Sequence, residues 1–150
     1  MIHKPIIIVN GEPHSIFIEI FFKALKLKKF KSPIILISSL KLLKFYMKKF
    51  NFKKKVCIIN VKNENFKKLN KNTINLIDVS LKKLNTDTKI SNEFIYKTFK
   101  IGLNLIKQNI SSKLINGPVT KKKFLNKKYL GMTEYIAKKT NTKKFAMLIY

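Results

Sequence analysis

Apolar residues recur along this chain in two alternating rhythms. Short β-branched runs at Lys4 to Val9, Ile34 to Ile37, Val56 to Val61 and Ile74 to Val79 read as buried strands, the first closed by Asn10-Gly11. Between them stand segments with helical spacing. Ser15 can cap a helix that presents Ile16, Ile20, Ala24 and Leu27 on one face and ends before Pro33. Ser39 can cap a second helix with Leu43, Met47 and Phe50 on its apolar side. The strongest helical stripe begins near Ser91, where Ile95, Phe99, Leu103 and Ile106 follow one another at i, i+4, i+8 and i+11. Lys113 to Asn116 reads as a short strand, Thr133 to Lys139 as a helix and Phe145 to Tyr150 as a last strand. Asn63 to Asn72 and Leu84 to Lys89 are polar enough for loops.

Strands alternating with helices predict an α/β layer architecture, a largely parallel sheet with flanking helices. With 150 residues and 45% hydrophobic content, the chain can bury the core of one ordinary domain. It shows no internal repeat or linker. Its apolar runs are too short, or too interrupted by lysine, for a signal peptide or a membrane span. The single cysteine, Cys57, excludes an intramolecular disulfide and fits a reducing, cytoplasmic setting. His3 and His14 lack metal-ligand spacing, and His14 reads as a solvent-facing loop residue.

The formal net charge of +26 invites a nucleic-acid reading, a lysine-rich binding module. Every basic residue is lysine, however, and none is arginine, whose planar fork carries most bidentate base and phosphate recognition. The lysines are dispersed rather than gathered on one segment. Phe99 and Phe45 fall on apolar helical stripes, where core packing accounts for them better than base stacking does. Abundant Lys, Asn, Ile and Phe match the drift of an AT-rich genome at exposed positions, so nucleic acid is not the expected partner.

Candidate chemistry lies where loops follow strands, because ligands of open α/β sheets bind beyond the strand carboxyl ends. Three stretches qualify: "NGEPHS" after the first strand, "NGPVTK" after the fifth, and "LGMTE" before the late helix. Each alone is commonly only a turn or a helix start. No Gly-x-Gly-x-x-Gly, Walker-type loop, HExxH or nucleophile elbow is present.

Taken in order, the three stretches resemble the 4-hydroxythreonine-4-phosphate dehydrogenase family of pyridoxal phosphate biosynthesis. The matching residues are Gly11-Glu12-Pro13 with Glu19 beyond it, then Gly117-Pro118-Val119 with Lys121, then Gly131, Thr133 and Glu134. The chain departs from the pattern at Ser15 to Ile18, in the slightly short connection from Lys121 to Gly131, and at Met132, which stands where the family has histidine. The resemblance implies an isocitrate/isopropylmalate dehydrogenase-like fold and an N-terminal portion of a longer enzyme, incomplete at its C-terminus and inactive alone. It implies oxidation of the C3 hydroxyl of 4-phosphooxy-threonine by NAD or NADP, assisted by a divalent metal ion, followed by decarboxylation, in a homodimer. Thr133 and Lys121 are then the expected substrate-binding residues, with Met132 at the position of the missing histidine. Gly117, Pro118 and Gly131 shape the turns, and Glu134 serves the helix start rather than acting as an acid. Metal ligands and catalytic residues are expected beyond Tyr150, with no metal ligand among residues 1–150. Met132 also leaves room for a paralogue with a shifted substrate.

If the lysines are compositional, nucleic-acid binding is weak, indifferent to sequence and steeply salt-dependent, since it rests on counterion release. Filter binding of several RNAs and DNAs across a salt series checks this. Salt-resistant preference for one sequence would restore the nucleic-acid reading.

Overall fold

The computed structural model describes residues 3–62, 66, 68–81, 88–120, 124, 125 and 129–147. Five strands, β1 (Ile6–Val9), β2 (Ile34–Ser38), β3 (Val56–Ile58), β4 (Ile74–Asp78) and β5 (Leu114–Asn116), form one sheet in the order β3-β4-β2-β1-β5. Every pairing is parallel. Four helices alternate with them among the described residues: α1 (Phe17–Leu27), α2 (Leu40–Lys49), α3 (Thr88–Lys107) and α4 (Met132–Thr140). This is the expected α/β layering with a parallel sheet.

The period of two along each strand divides the core. Ile7, Val9, Ile35, Ile37 and Ile77 face α3 and α4, whereas Ile8, Ile34, Leu36, Ile74 and Leu76 face α1 and α2. Both faces of the central strands are covered, which is why they read as unbroken apolar runs. α3 lies tight on the sheet. A Cβ on Gly102 would stand 2.9 Å from a methyl of Val9, so the helix approaches β1 where glycine leaves space. The expected stripe is buried as read: Ile95, Phe99 and Leu103 are buried and Ile106 packs at the margin.

α2 also follows the expectation, with Ser39 Oγ accepting from the Leu42 amide at its N-cap. α1 does not. Its buried residues are Phe17, Ile18, Phe21 and Phe22, while Ile16, Ile20 and Leu27 are exposed. The helix is apolar around most of its circumference, so periodicity offers two competing stripes. The one carrying three phenylalanines wins because aromatic side chains remove the most surface from water. Phe22 stacks on Phe52 at 4.1 Å between ring centroids and meets Phe50 edge-on. The N-cap position falls to Ile16 rather than Ser15, but the Ser15 hydroxyl still accepts from the Phe17 amide, the first of the helix, at 3.4 Å.

Four other expectations are corrected. Val56 to Val61 is not a buried strand. It pairs only over Val56–Ile58, and Cys57 and Ile58 are exposed because β3 occupies the sheet edge with β4 on one side alone. Phe45 lies off the buried stripe of α2 and is half exposed. Phe145 and Met147 stand in solvent without strand pairing, and the remainder of the expected last strand, 148–150, lies outside the described residues. The expected loop at Leu84 to Lys89 gives way to α3 from Thr88, and its earlier part also lies outside them.

Phe99 is fully buried and touches the rings of Phe124 and Tyr135. Its replacement by alanine is expected to cost about 3–5 kcal/mol of stability. Phe45→Ala, at an exposed position, should cost about 1 kcal/mol or less. Urea denaturation of the two variants checks the assignment of faces.

Candidate functional site

At the carboxyl ends of β1 and β5, two turns interlock. After β1 the chain passes through Asn10 and Gly11, the latter at φ +73°, a conformation that favours glycine. After β5 it passes through Gly117 and Pro118. A Cβ on Gly11 would lie 2.5 Å from the Pro118 carbonyl oxygen, and one on Gly117 would run into the carbonyl of Asn10. Neither backbone leaves room for a side chain on the other. Hydrogen bonds fasten the contact: the Gly117 amide donates to Val9 O at 2.8 Å and the Glu12 amide to Pro118 O at 2.9 Å. The Glu12 carboxylate then accepts from the Thr120 amide at 2.7 Å. Thr120 immediately precedes Lys121.

A polar seam continues across the strand ends. Asn10 is fully buried and its Oδ1 accepts from Ser38 Oγ at 3.0 Å, tying the ends of β1 and β2. Asp78, at the end of β4, accepts the Leu40 amide at 2.8 Å and so holds the α2 N-terminus. Sequence reading missed Asn10, Ser38 and Asp78 as braces. Their common signal was a polar residue closing an apolar strand run.

Gly131 is the N-cap of α4, in extended conformation, and no side chain completes the cap. Thr133 is thus the second residue of the helix and does not cap it; Met132, Thr133 and Glu134 are all partly exposed. Glu134 folds back over Gly131, where a Cβ would stand 2.9 Å from its Oε2, and that oxygen is buried without a hydrogen-bond partner. Negative charge in a first helical turn is favourable. Met132 packs against the core cluster beneath α3.

α4 packs on α3, with Tyr135 in the core cluster of that face. Gly102 lies against Val9, Leu114 and Ile37, and Phe99, one turn earlier on an antiparallel helix, lies closer to the strand carboxyl ends. Tyr135, in the first turn and a half of α4, packs edge-on against Phe99 at 6.1 Å. Gly11 and Gly117 thus meet at the strand carboxyl ends, and Gly131 begins the helix that packs on Phe99. Lys121 lies outside the described residues. Glu19 is elsewhere, on the outer surface of α1 paired to Lys23 at 2.7 Å. His3 and His14 are exposed, and no group of three or more His, Cys, Asp or Glu able to hold a metal ion occurs among the described residues.

Residues 29–150 match the family described as pyridoxal phosphate biosynthetic protein PdxA. The chain belongs to this family. Solved structures share its fold. One chain, assigned as a 4-hydroxythreonine-4-phosphate dehydrogenase from Salmonella typhimurium, is 22% identical with a TM-score of 0.77, over 97% of this chain and 48% of that one. A 4-hydroxythreonine-4-phosphate dehydrogenase from Burkholderia phymatum is 19% identical with a TM-score of 0.75, over 95% and 45%. That from Klebsiella pneumoniae is 20% identical with a TM-score of 0.73, over 91% and 44%. The chain spans about half the length of these structures. No curated protein matches it.

Burial pushes the Tyr135 hydroxyl up to about 12, with the neighbouring Tyr96 and Tyr129 adding to the rise. The folded state thus holds Tyr135 protonated where the unfolded chain, near 10, has begun to lose the proton. This share of stability is present below pH 10 and is lost as pH rises from about 10 to about 12. Absorbance at phenolate wavelengths should show one late-titrating tyrosine, absent in Tyr135→Phe. The decline of the urea midpoint over the same interval should be shallower in that variant.

Proposed function

We propose that this PdxA-family chain carries the substrate-binding part of a 4-hydroxythreonine-4-phosphate dehydrogenase. In the proposed reaction the C3 hydroxyl of 4-phosphooxy-threonine is oxidised at the expense of NAD or NADP, and the β-keto acid formed loses carbon dioxide. The observation that most supports this reading is the interlock of Gly11 and Gly117 at adjacent strand ends, where α2 also begins. Such an end gathers backbone amides and a helix dipole suited to an anionic group.

In this reading the Thr133 hydroxyl donates a hydrogen bond to the substrate, and the free amides of the first α4 turn face its phosphate. The Lys121 ammonium supplies a compensating charge. Glu12 contributes indirectly: by holding the Thr120 amide it fixes the start of the segment that carries Lys121. The described residues do not offer a metal-binding set, so no step through a metal is assigned to them. Action as a homodimer in the cytoplasm completes the proposal; no helix among the described residues is long and apolar enough to cross a membrane.

A second reading, a paralogue with a shifted substrate, draws on Met132. Its partly buried side chain packs against the core and offers at most a weak sulfur acceptor, so the family's histidine contact has no counterpart there.

Calorimetric titration with 4-phosphooxy-threonine of a chain extended through the family's metal ligands, together with turnover in the presence of NAD or NADP and a divalent cation, tests both readings. Thr133→Val is expected to weaken binding by about 1–3 kcal/mol, the cost of an unpaired polar partner. Lys121→Ala should cost as much or more. Met132→His should preserve or improve affinity while lowering Tm, because an imidazole replaces an apolar core contact. If the first two variants leave affinity and turnover unchanged, Thr133 and Lys121 are only a helix turn and a surface lysine. Loss of affinity in Met132→His would favour the shifted substrate.

A further inference from the structure

The amino-terminal end of the sheet, opposite the interlocked turns, carries a concavity. A cleft of about 440 Å³ opens between the end of α1, the following turn and the starts of β2 and β4. Lys26, Lys28, Lys29, Lys54 and Lys71 line it, and no carboxylate does. Its apolar wall includes Phe21, Leu25, Phe30 and Ile34, and the same four side chains border an adjoining hollow of about 160 Å³. Ile20, Ala24 and Ile115 help to close that hollow, whose lining is apolar throughout. The exposed stripe of α1 thus forms one side of it.

None of the five lysines has an ion-pair partner among the described residues; Lys26 leans over the Phe52 ring at 5.8 Å. The α1 C-terminus offsets about half a unit of positive charge. The remaining like charges repel one another, and a concave setting concentrates their potential. Lysine drift accounts for many scattered cations, but it does not account for an open apolar hollow sharing a wall with them. The two features ask for different halves of one ligand. An inorganic anion would leave the hollow empty. A nucleotide base would bring polar edges into a space that offers them no side-chain partner. A hydrocarbon body meets neither objection.

We infer that this cleft binds an amphiphilic phosphate ester, its di- or polyphosphate lying across Lys29, Lys54 and Lys71 and its hydrocarbon body in the hollow beside Ala24. The site lies at the opposite strand ends from Gly11 and Gly117 and does not rest on the dehydrogenase reading.

Calorimetry of the full chain with geranyl diphosphate, inorganic pyrophosphate and geraniol tests it, with sedimentation on phosphatidylglycerol–phosphatidylcholine vesicles as a parallel arm. Geranyl diphosphate should bind saturably and at least tenfold more tightly than pyrophosphate or geraniol. Replacing Lys29, Lys54 and Lys71 together by Gln should weaken it at least tenfold, whereas the same change at Lys100, Lys107 and Lys143 should alter it less than twofold. Ala24→Phe, which fills the hollow, should reduce geranyl diphosphate to the affinity of pyrophosphate and leave pyrophosphate unchanged. Binding to vesicles alone, lost only in the cleft variant, keeps the site and assigns its ligand to a lipid headgroup. Equal losses in the two lysine variants, equal affinities for the ester and pyrophosphate, or no binding in either arm would overturn the inference.

Discussion

Two stretches of backbone touching without side chains between them organise this fold. Gly11 and Gly117 lie against each other's turns, and the Glu12–Thr120 contact spans 108 residues of sequence. Backbone at such close range admits no adjustment by rotamers, so the first and fifth strands have one relative position at their carboxyl ends. The registers Val9 to Ile37 and Val9 to Asn116 carry that position into both neighbouring strands. Asn10, buried and bonded to Ser38, extends the same constraint as a side-chain brace.

The interlock matters for function because it places loops rather than cores. Two segments that the chain keeps far apart, after β1 and after β5, meet at one end of the molecule. Helix starts gather there for a general reason: in parallel β-α-β units each helix begins near the carboxyl end of the strand before it. The Glu12 carboxylate is spent on the Thr120 amide, and Asp78 on the start of α2. In a chain with only seven acidic residues, two that bind main-chain amides at this end are committed to shaping it. Lysine is left as the abundant exposed charge, which suits anionic ligands in general and selects none by itself.

α1 shows how a helix can satisfy a pattern and still defeat its reader. Two apolar stripes run along it, and the sheet takes the aromatic one. The stripe left outside does not vanish energetically; it borders an open hollow beside the β5 edge. Met132 shows the same ambiguity at single-residue scale. A position that a motif marks as ligand-facing is occupied by a flexible apolar side chain that packs on the core.

The sequence by itself determined the layer architecture, the strand and helix order, and the turns at Gly11, Gly117 and Gly131. Those follow from local periodicity and from backbone preferences of glycine and proline, which act over a few residues. The family, too, was legible, since its motifs are short and their order survives drift elsewhere. Only the tertiary structure decided the strand order β3-β4-β2-β1-β5, and with it the exposure of Cys57 and Ile58 at an edge. A buried strand and an edge strand can share one apolar pattern, because the pattern records side-chain chemistry and not the number of neighbours. Tertiary packing likewise chose the buried face of α1, laid Met132 against the margin of the core and recruited Asn10, Ser38 and Asp78 as braces. Each of those outcomes depends on which partner arrives from a distant part of the chain, and no local rule carries that information.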